Sequence, residues 1–150
     1  MKIKDVLRNK NSDKILSIDQ NKTLCDAMGF FAEHRVRSLI VEDDQKNVVG
    51  LVTEKDVLRV CHKLDGNIKD QKIEKAMTPK AKMWTIRRDD PIDKAMQIMT
   101  DERVAHLPVF KEDILVGLVS IGDLIKAMLD KSRKETKRLQ DYISGAYPKE

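Results

Sequence analysis

The sequence predicts a mixed α/β fold of the α+β kind, in which a βαββα unit occurs twice and a C-terminal helix follows. Three observations carry this. First, the phrase Val49-Gly50-Leu51-Val52-Thr53-Glu54-Lys55-Asp56-Val57-Leu58-Arg59 returns as Val116-Gly117-Leu118-Val119-Ser120-Ile121-Gly122-Asp123-Leu124-Ile125-Lys126. Second, each copy reads as a short apolar strand, a hydroxyl residue, a carboxylate three positions on, and an apolar-periodic helix. Third, Ile18 through Val41 aligns with Ile86 through Val109 at a constant offset, which shortens by one residue at Gly50 and Gly117. A length change confined to a hairpin loop is what a structural repeat shows. A unit of about 60 residues closes no adequate core alone. The two copies are therefore expected to pack side by side with pseudo-twofold symmetry, leaving two equivalent clefts between them.

Taken in order, Ile3 to Leu7 reads as a short amphipathic turn of helix and Ile15 to Ile18 as a strand. Asp19, Gln20 and Asn21 supply turn and cap chemistry before a helix over Leu24 to His34. Its Leu24, Ala27, Met28 and Phe31 recur at i, i+3, i+4 and i+7, so they are expected on one buried face. Arg37 to Val41 and Val48 to Val52 read as strands joined by the polar loop Glu42 to Asn47, and Thr53 caps a helix to about His62. The polar, glycine-containing stretch Leu64 to Ile68 is the linker.

The pattern then restarts. Ile73 to Met77 matches the N-terminal turn, Thr78-Pro79 ends it, and Met83 to Ile86 is the short strand, with Trp84 expected in the core. Asp90-Pro91 starts a helix with proline at its first position, and Ile92, Ala95, Met96 and Met99 form its buried face. Leu107 to Phe110 and Leu115 to Val119 are the second strand pair, and Ser120 opens the last helix. Beyond Asp130 comes a charged helical tail with Leu139, Tyr142 and Ile143 as apolar anchors, broken at Ser144-Gly145. The expected organisation is a first repeat over residues 1–63, a linker over 64–71, a second repeat over 72–130 and a tail over 131–150.

Composition narrows the function. Of 150 residues, 41% are hydrophobic, 36% charged and 4% aromatic, which describes an aliphatic interior under a heavily solvated surface. The net charge of +4 is spread along the chain; it suits anionic small molecules and does not by itself mark nucleic-acid binding. Cys25 and Cys61 have no disulfide or metal spacing, and no secretory or bilayer-spanning stretch is present, so a soluble cytoplasmic protein is expected. His34, His62 and His106 lack zinc spacing, and there is no Gly-x-Ser-x-Gly elbow, Walker phosphate loop or Cys-x-x-Cys. No catalytic residue, no metal and no required cofactor are expected.

The repeat resembles the cystathionine-β-synthase (CBS) domain, and the chain resembles a tandem CBS pair, or Bateman module. Gly50-Leu51-Val52-Thr53-Glu54-Lys55-Asp56 and Gly117-Leu118-Val119-Ser120-Ile121-Gly122-Asp123 carry the resemblance, supported by Arg35 to Val41 and Arg103 to Val109. It covers Ile3 to Asp130, and Leu139 to Tyr147 resembles the terminal helix of stand-alone members. The resemblance implies a small three-stranded sheet with two helices per repeat and pairs that dimerise into flat discs. It implies clefts that bind AMP, ADP, ATP or S-adenosylmethionine and regulate a partner. By the same resemblance Asp56 and Asp123 take ribose hydroxyls beside Thr53 and Ser120. Arg37, Ser38 and His106 lie where phosphate is reached, and Ile18, Thr85 and Ile86 line the adenine side. Ile40 departs from the pattern, standing where Pro108 is usual.

Plainer readings of the same residues stand beside these. Thr53-x-x-Asp56 and Ser120-x-x-Asp123 are also helix capping boxes, and the two roles are compatible, because a helix N-terminus favours oxygen-rich ligands. Arg37 is a fixed cation, whereas the His106 imidazole is mostly neutral near pH 7; either serves as a surface ion pair. Ile18 and Ile86 serve as core. Two other function classes compete: a dimerisation or adaptor scaffold with no nucleotide ligand, and nucleic-acid binding through the basic run Lys131 to Arg138, which acidic residues interrupt. The expected partners are a second copy of the chain, an adenosine-containing small molecule and an unidentified regulated protein, and no membrane.

Overall fold

The computed structural model describes residues 1–10 and 15–145 of the chain. In chain order the elements are α1 (Ile3–Arg8), β1 (Ser17–Asp19), α2 (Leu24–His34), β2 (Ser38–Glu42), β3 (Val48–Thr53) and α3 (Glu54–Lys63). After them come β4 (Thr78–Pro79), β5 (Ile86–Arg87), α4 (Ile92–Asp101), β6 (His106–Lys111), β7 (Ile114–Ser120) and α5 (Ile121–Ile143). The result is a mixed α+β structure with two small sheets and a C-terminal helix. It divides into two compact units: Lys14–Thr85, and Met1–Asp13 together with Ile86–Glu150.

In the Lys14–Thr85 unit the sheet order is β1-β2-β3-β4. Strands β1 and β2 run parallel, as a crossover through α2 requires, and β2 and β3 form an antiparallel hairpin. The hairpin loop is tied by Asp43, whose Oδ1 accepts the N–H groups of Gln45 and Asn47 at 2.9 and 2.8 Å. Strand β4 was not foreseen: Thr78-Pro79, expected only to end a turn, pairs with Leu51 and Gly50 of β3. The cap of α2 falls at Thr23 rather than at residues 19–21, and Met28 is 47% exposed rather than buried. Leu24, Ala27 and Phe31 make the buried face of that helix, and Phe30 packs partly buried against the same core.

In the other unit β5, β6 and β7 repeat the parallel and antiparallel pairings. Strand β5 begins at Ile86, and Met83 to Thr85 are not part of it; a 3-10 turn at Lys80–Lys82 occupies the chain just before them. Only Ile86 and Arg87 find partners, Val109 and Phe110, so Trp84 lies outside the sheet at 48% exposure and not in a core. Pro91 is the N-cap of α4, with extended backbone, rather than its first helical residue. The preceding Asp90 accepts the Arg87 N–H at 3.0 Å and the Lys94 ammonium at 3.0 Å, which fixes the entry to the helix.

The leading turns of the two sequence halves are exchanged in the packing. Ile3 and Val6 of α1 are buried with Ile86, Leu107 and Val119, and the Ile3 N–H donates to Asp90 O at 2.9 Å. Ile73 is buried with Leu39 and Val52, and its N–H donates to Lys22 O at 3.0 Å. The glycines of the repeated phrase are the contact points. A Cβ on Gly117 would stand 2.7 Å from Leu7 Cδ2, and one on Gly50 would stand 2.6 Å from Thr78 O. The close approach of a docked turn therefore accounts for glycine at both positions.

The last helix, α5, is continuous from Ile121 to Ile143, and Leu124 is its buried residue. It ends where the Ser144 N–H bonds Gln140 O and Gly145 takes a φ of 72°. Residues 146–150, with Tyr147, lie outside the described residues.

Candidate functional site

Each antiparallel hairpin delivers its last strand residue to the first turn of a helix. Thr53, the end of β3, pairs with Ser38, the start of β2; Ser120, the end of β7, pairs with His106, the start of β6. The first helical amide is then held by the neighbouring strand: Glu54 N–H donates to Arg37 O at 3.1 Å, and Ile121 N–H to Ala105 O at 2.9 Å. Backbone amides that a helix start would leave unpaired are thus partly satisfied across the hairpin.

The side chains complete the cap. Thr53 Oγ1 accepts the Asp56 N–H at 3.2 Å, and Asp56 Oδ2 accepts the Thr53 N–H at 2.9 Å. Ser120 Oγ accepts the Asp123 N–H at 3.1 Å, and Asp123 Oδ2 accepts the Ser120 N–H at 2.9 Å. In both boxes the cap engages Oδ2 of a carboxylate at the positive end of its helix.

Each carboxylate has a cation beside it. Lys10 Nζ stands 2.9 Å from Asp123 Oδ2 and donates to Leu118 O at 2.8 Å. Asp56 Oδ1 faces Arg59 Nη1 at 3.8 Å, a neighbour on its own helix with a side chain 73% exposed. Burial pushes the Asp123 carboxyl up, but the Ser120 amide and the Lys10 ammonium together outweigh it. The group therefore titrates below the ordinary 3.8 and is ionised at neutral pH.

The structure gathers Ser38, Thr53 and Asp56 at one hairpin end, and His106, Ser120 and Asp123 at the other. Ser38 is buried, Arg37 exposed and His106 half-buried. Ile18 and Ile86 are buried core residues, on β1 opposite Val41 and on β5 opposite Val109. Thr85 is exposed and ends the Lys14–Thr85 unit. Sequence reading missed Lys10. The signal was present: Ile3, Leu7 and Lys10 have the same spacing as Ile73, Met77 and Lys80, and the two leading turns dock in the same way. Among the described residues no group of three or more His, Cys, Asp or Glu side chains is gathered to hold a metal, and no helix is long and apolar enough to cross a membrane. An open groove of about 420 Å³ beside Glu135, Arg138, Leu139 and Tyr142 lies far along α5 and includes none of the predicted site residues.

Two strand-to-helix boxes on one repeated frame match a known pattern, and the profile of the CBS domain covers residues 3–63 and 73–130. The chain belongs to the CBS domain family. The CBS domain-containing protein CBSX3, mitochondrial, of Arabidopsis thaliana is 34% identical over 150 residues, which span 97% of this chain and 73% of that protein. The CBS-domain containing protein ATU1752 from Agrobacterium tumefaciens superposes with a TM-score of 0.80 at 26% identity, covering 85% of this chain and 99% of that one. Two ligand-bound structures share the fold at 22% identity, each covering 87% of this chain and 98% of its own. They are CBSX2 in complex with AMP, at a TM-score of 0.69, and the CBS domain pair of MJ0100 in complex with 5′-methylthioadenosine and S-adenosyl-L-methionine, at 0.73. Each matched CBS segment begins at a leading turn, Ile3 or Ile73, whose side chain is buried in the compact unit that holds most of the other segment.

Proposed function

We propose that this CBS pair is a regulatory module that binds an adenosine-containing ligand, drawn from AMP, ADP, ATP and S-adenosylmethionine. The observation that carries the reading is the duplicated box itself: a hydroxyl and a carboxylate held at a helix start, opposite the first residue of a neighbouring strand. In this reading Asp56 and Asp123 accept the two ribose hydroxyls, Thr53 and Ser120 stand beside the phosphate or its equivalent, and Arg37, Ser38 and His106 meet the anionic end. Ile18, Ile86 and Thr85 shape the adenine side. The ligands of the related solved structures, AMP and S-adenosylmethionine among them, support this choice of class.

The module works as a homodimer and passes the binding free energy to a partner protein. The large apolar side chains exposed on α5, Ile125, Leu129 and Ile143 among them, support a self-association seam. A reducing compartment, the cytoplasm, suits the two free cysteines.

The test is a thermal melt of the purified chain against AMP, ADP, ATP, S-adenosylmethionine and adenosine, with calorimetry on any hit. A ligand that binds only the folded chain stabilises it by about 2.7 kcal/mol at a hundredfold excess over Kd. An upward shift with at least one compound that is lost in the Asp56→Asn/Asp123→Asn double variant supports the reading. No shift with any of them at millimolar concentration overturns it.

A further inference from the structure

Lys10 follows α1 by two residues, and its side chain is 32% exposed. Its ammonium bonds two groups from different elements, Leu118 O on β7 at 2.8 Å and Asp123 Oδ2 in the first turn of α5 at 2.9 Å. The cation is therefore mounted from outside the helix it serves and sits on the carboxylate assigned to the ribose. Arg59, 3.8 Å from Asp56, is by contrast a solvent-exposed group on the same helix as its carboxylate.

We propose that Lys10 is a displaceable counter-ion that makes the Ser120–Asp123 site select adenosine ligands carrying a phosphate over neutral adenosine. This rests on the function proposed above. When two ribose hydroxyls donate to the two Asp123 oxygens, one of them competes with the ammonium at Oδ2, which also accepts the Ser120 N–H. A neutral ligand weakens the ammonium's bond to that oxygen and brings no anion of its own to replace it. A phosphate supplies the missing partner, and the flexible four-carbon stem of lysine lets the ammonium follow it. A charge-assisted bond is stronger than a neutral one, so the exchange favours the anionic ligand. The bond to Leu118 O keeps the ammonium beside the site while it changes partner.

The experiment is isothermal calorimetry with AMP and adenosine in an Asp56→Asn background, so that the other box contributes no signal. Three chains are compared: Lys10 intact, Lys10→Met, which keeps the apolar stem, and Lys10→Arg, which keeps the charge. The intact chain is expected to prefer AMP. Lys10→Met is expected to lose about tenfold or more in AMP affinity, with adenosine affinity unchanged or higher, and Lys10→Arg to retain the preference for AMP. Equal changes in both affinities, or no change in either, overturn the role of Lys10 and leave the ribose reading standing. No binding of either compound by the intact chain, or by the chain without the Asp56 change, overturns the ribose reading as well.

Discussion

Replacing Ile3 with alanine tests the exchange of leading turns directly. Ile3 stands at the head of the first CBS segment in sequence, yet its side chain is fully buried at 0% exposure among Ile86, Leu107 and Val119. Truncating a buried isoleucine to alanine destabilises by about 2–5 kcal/mol. The turn α1 is short, and Val6 is its other buried residue, so relaxation around the gap has few alternative contacts to recover. A loss near 3 kcal/mol follows, or a fall of about 6–12 °C in Tm at roughly 2–4 °C per kcal/mol for a chain of this size. The assay is residue-resolved native-state hydrogen exchange. The Leu107 and Val119 amides are expected to exchange about a hundredfold faster, while the Leu39 and Val52 amides keep their protection. Ile73→Ala, at 0% exposure in the other core, gives the converse pattern. If Ile3→Ala releases Leu39 and Val52 first, the leading turn is not where the packing places it and the exchange is refuted.

Alanine at the two repeated glycines separates a rigid clash from a yielding one. The Gly50 Cβ meets a backbone carbonyl, Thr78 O, at 2.6 Å, whereas the Gly117 Cβ meets only the Leu7 side chain at 2.7 Å. Gly50→Ala is expected to destabilise by about 3 kcal/mol and Gly117→Ala by about 1 kcal/mol in urea melts, with Gly117→Ala nearly neutral in a Leu7→Ala background. Thr53→Ala and Ser120→Ala each remove an N-cap and are expected to lower stability by about 1 kcal/mol. Asp123 titrates below its ordinary 3.8 in the folded chain, so its stabilisation is complete above that value and is lost as pH falls through the lower folded one. Urea midpoints measured downward from about pH 5 are expected to fall less steeply for Asp123→Asn than for the unsubstituted chain.

Much of the frame could be read because repetition turns weak local signals into strong ones. Neither Thr53-x-x-Asp56 nor Ser120-x-x-Asp123 alone separates a cap from a site, but the same box after the same hairpin in two places locates strand, turn and helix together. Periodicity placed the inward faces of α2 and α4 well at Leu24, Ala27, Ile92 and Ala95. It failed at Met28, which lies on the edge of the apolar stripe, where a one-step rotation of the helix decides exposure. Strand β4 and the docking of α1 were not legible for a different reason. Both depend on which distant segment a turn packs against, and a local pattern of apolar residues carries no address. The glycines were the available clue, since a strand glycine marks a close neighbour without naming it. Lys10 was hidden for the same reason: its partners Leu118 and Asp123 are more than a hundred residues away along the chain.

The chain carries the same capping box a third time. Thr23 and Asp26 make the reciprocal bonds at 2.9 and 3.2 Å, the same distances as Thr53 and Asp56. Yet Asp26 is exposed, and Thr23 is itself bridged to Lys72 instead of ending a hairpin strand. There too a distant segment holds the first helical amide, Leu24 N–H donating to Gln71 O at 2.8 Å. What is particular to Thr53 and Ser120 is that each ends a hairpin strand and pairs with Ser38 or His106, so the cap is fixed against a sheet and a ligand there has less ordering to impose. The box supplies geometry, the hairpin supplies rigidity, and the docked leading turn supplies charge where Lys10 reaches Asp123. That last contribution comes from a segment far off in sequence, so it is set by where the leading turn docks and not by the motif that both copies share.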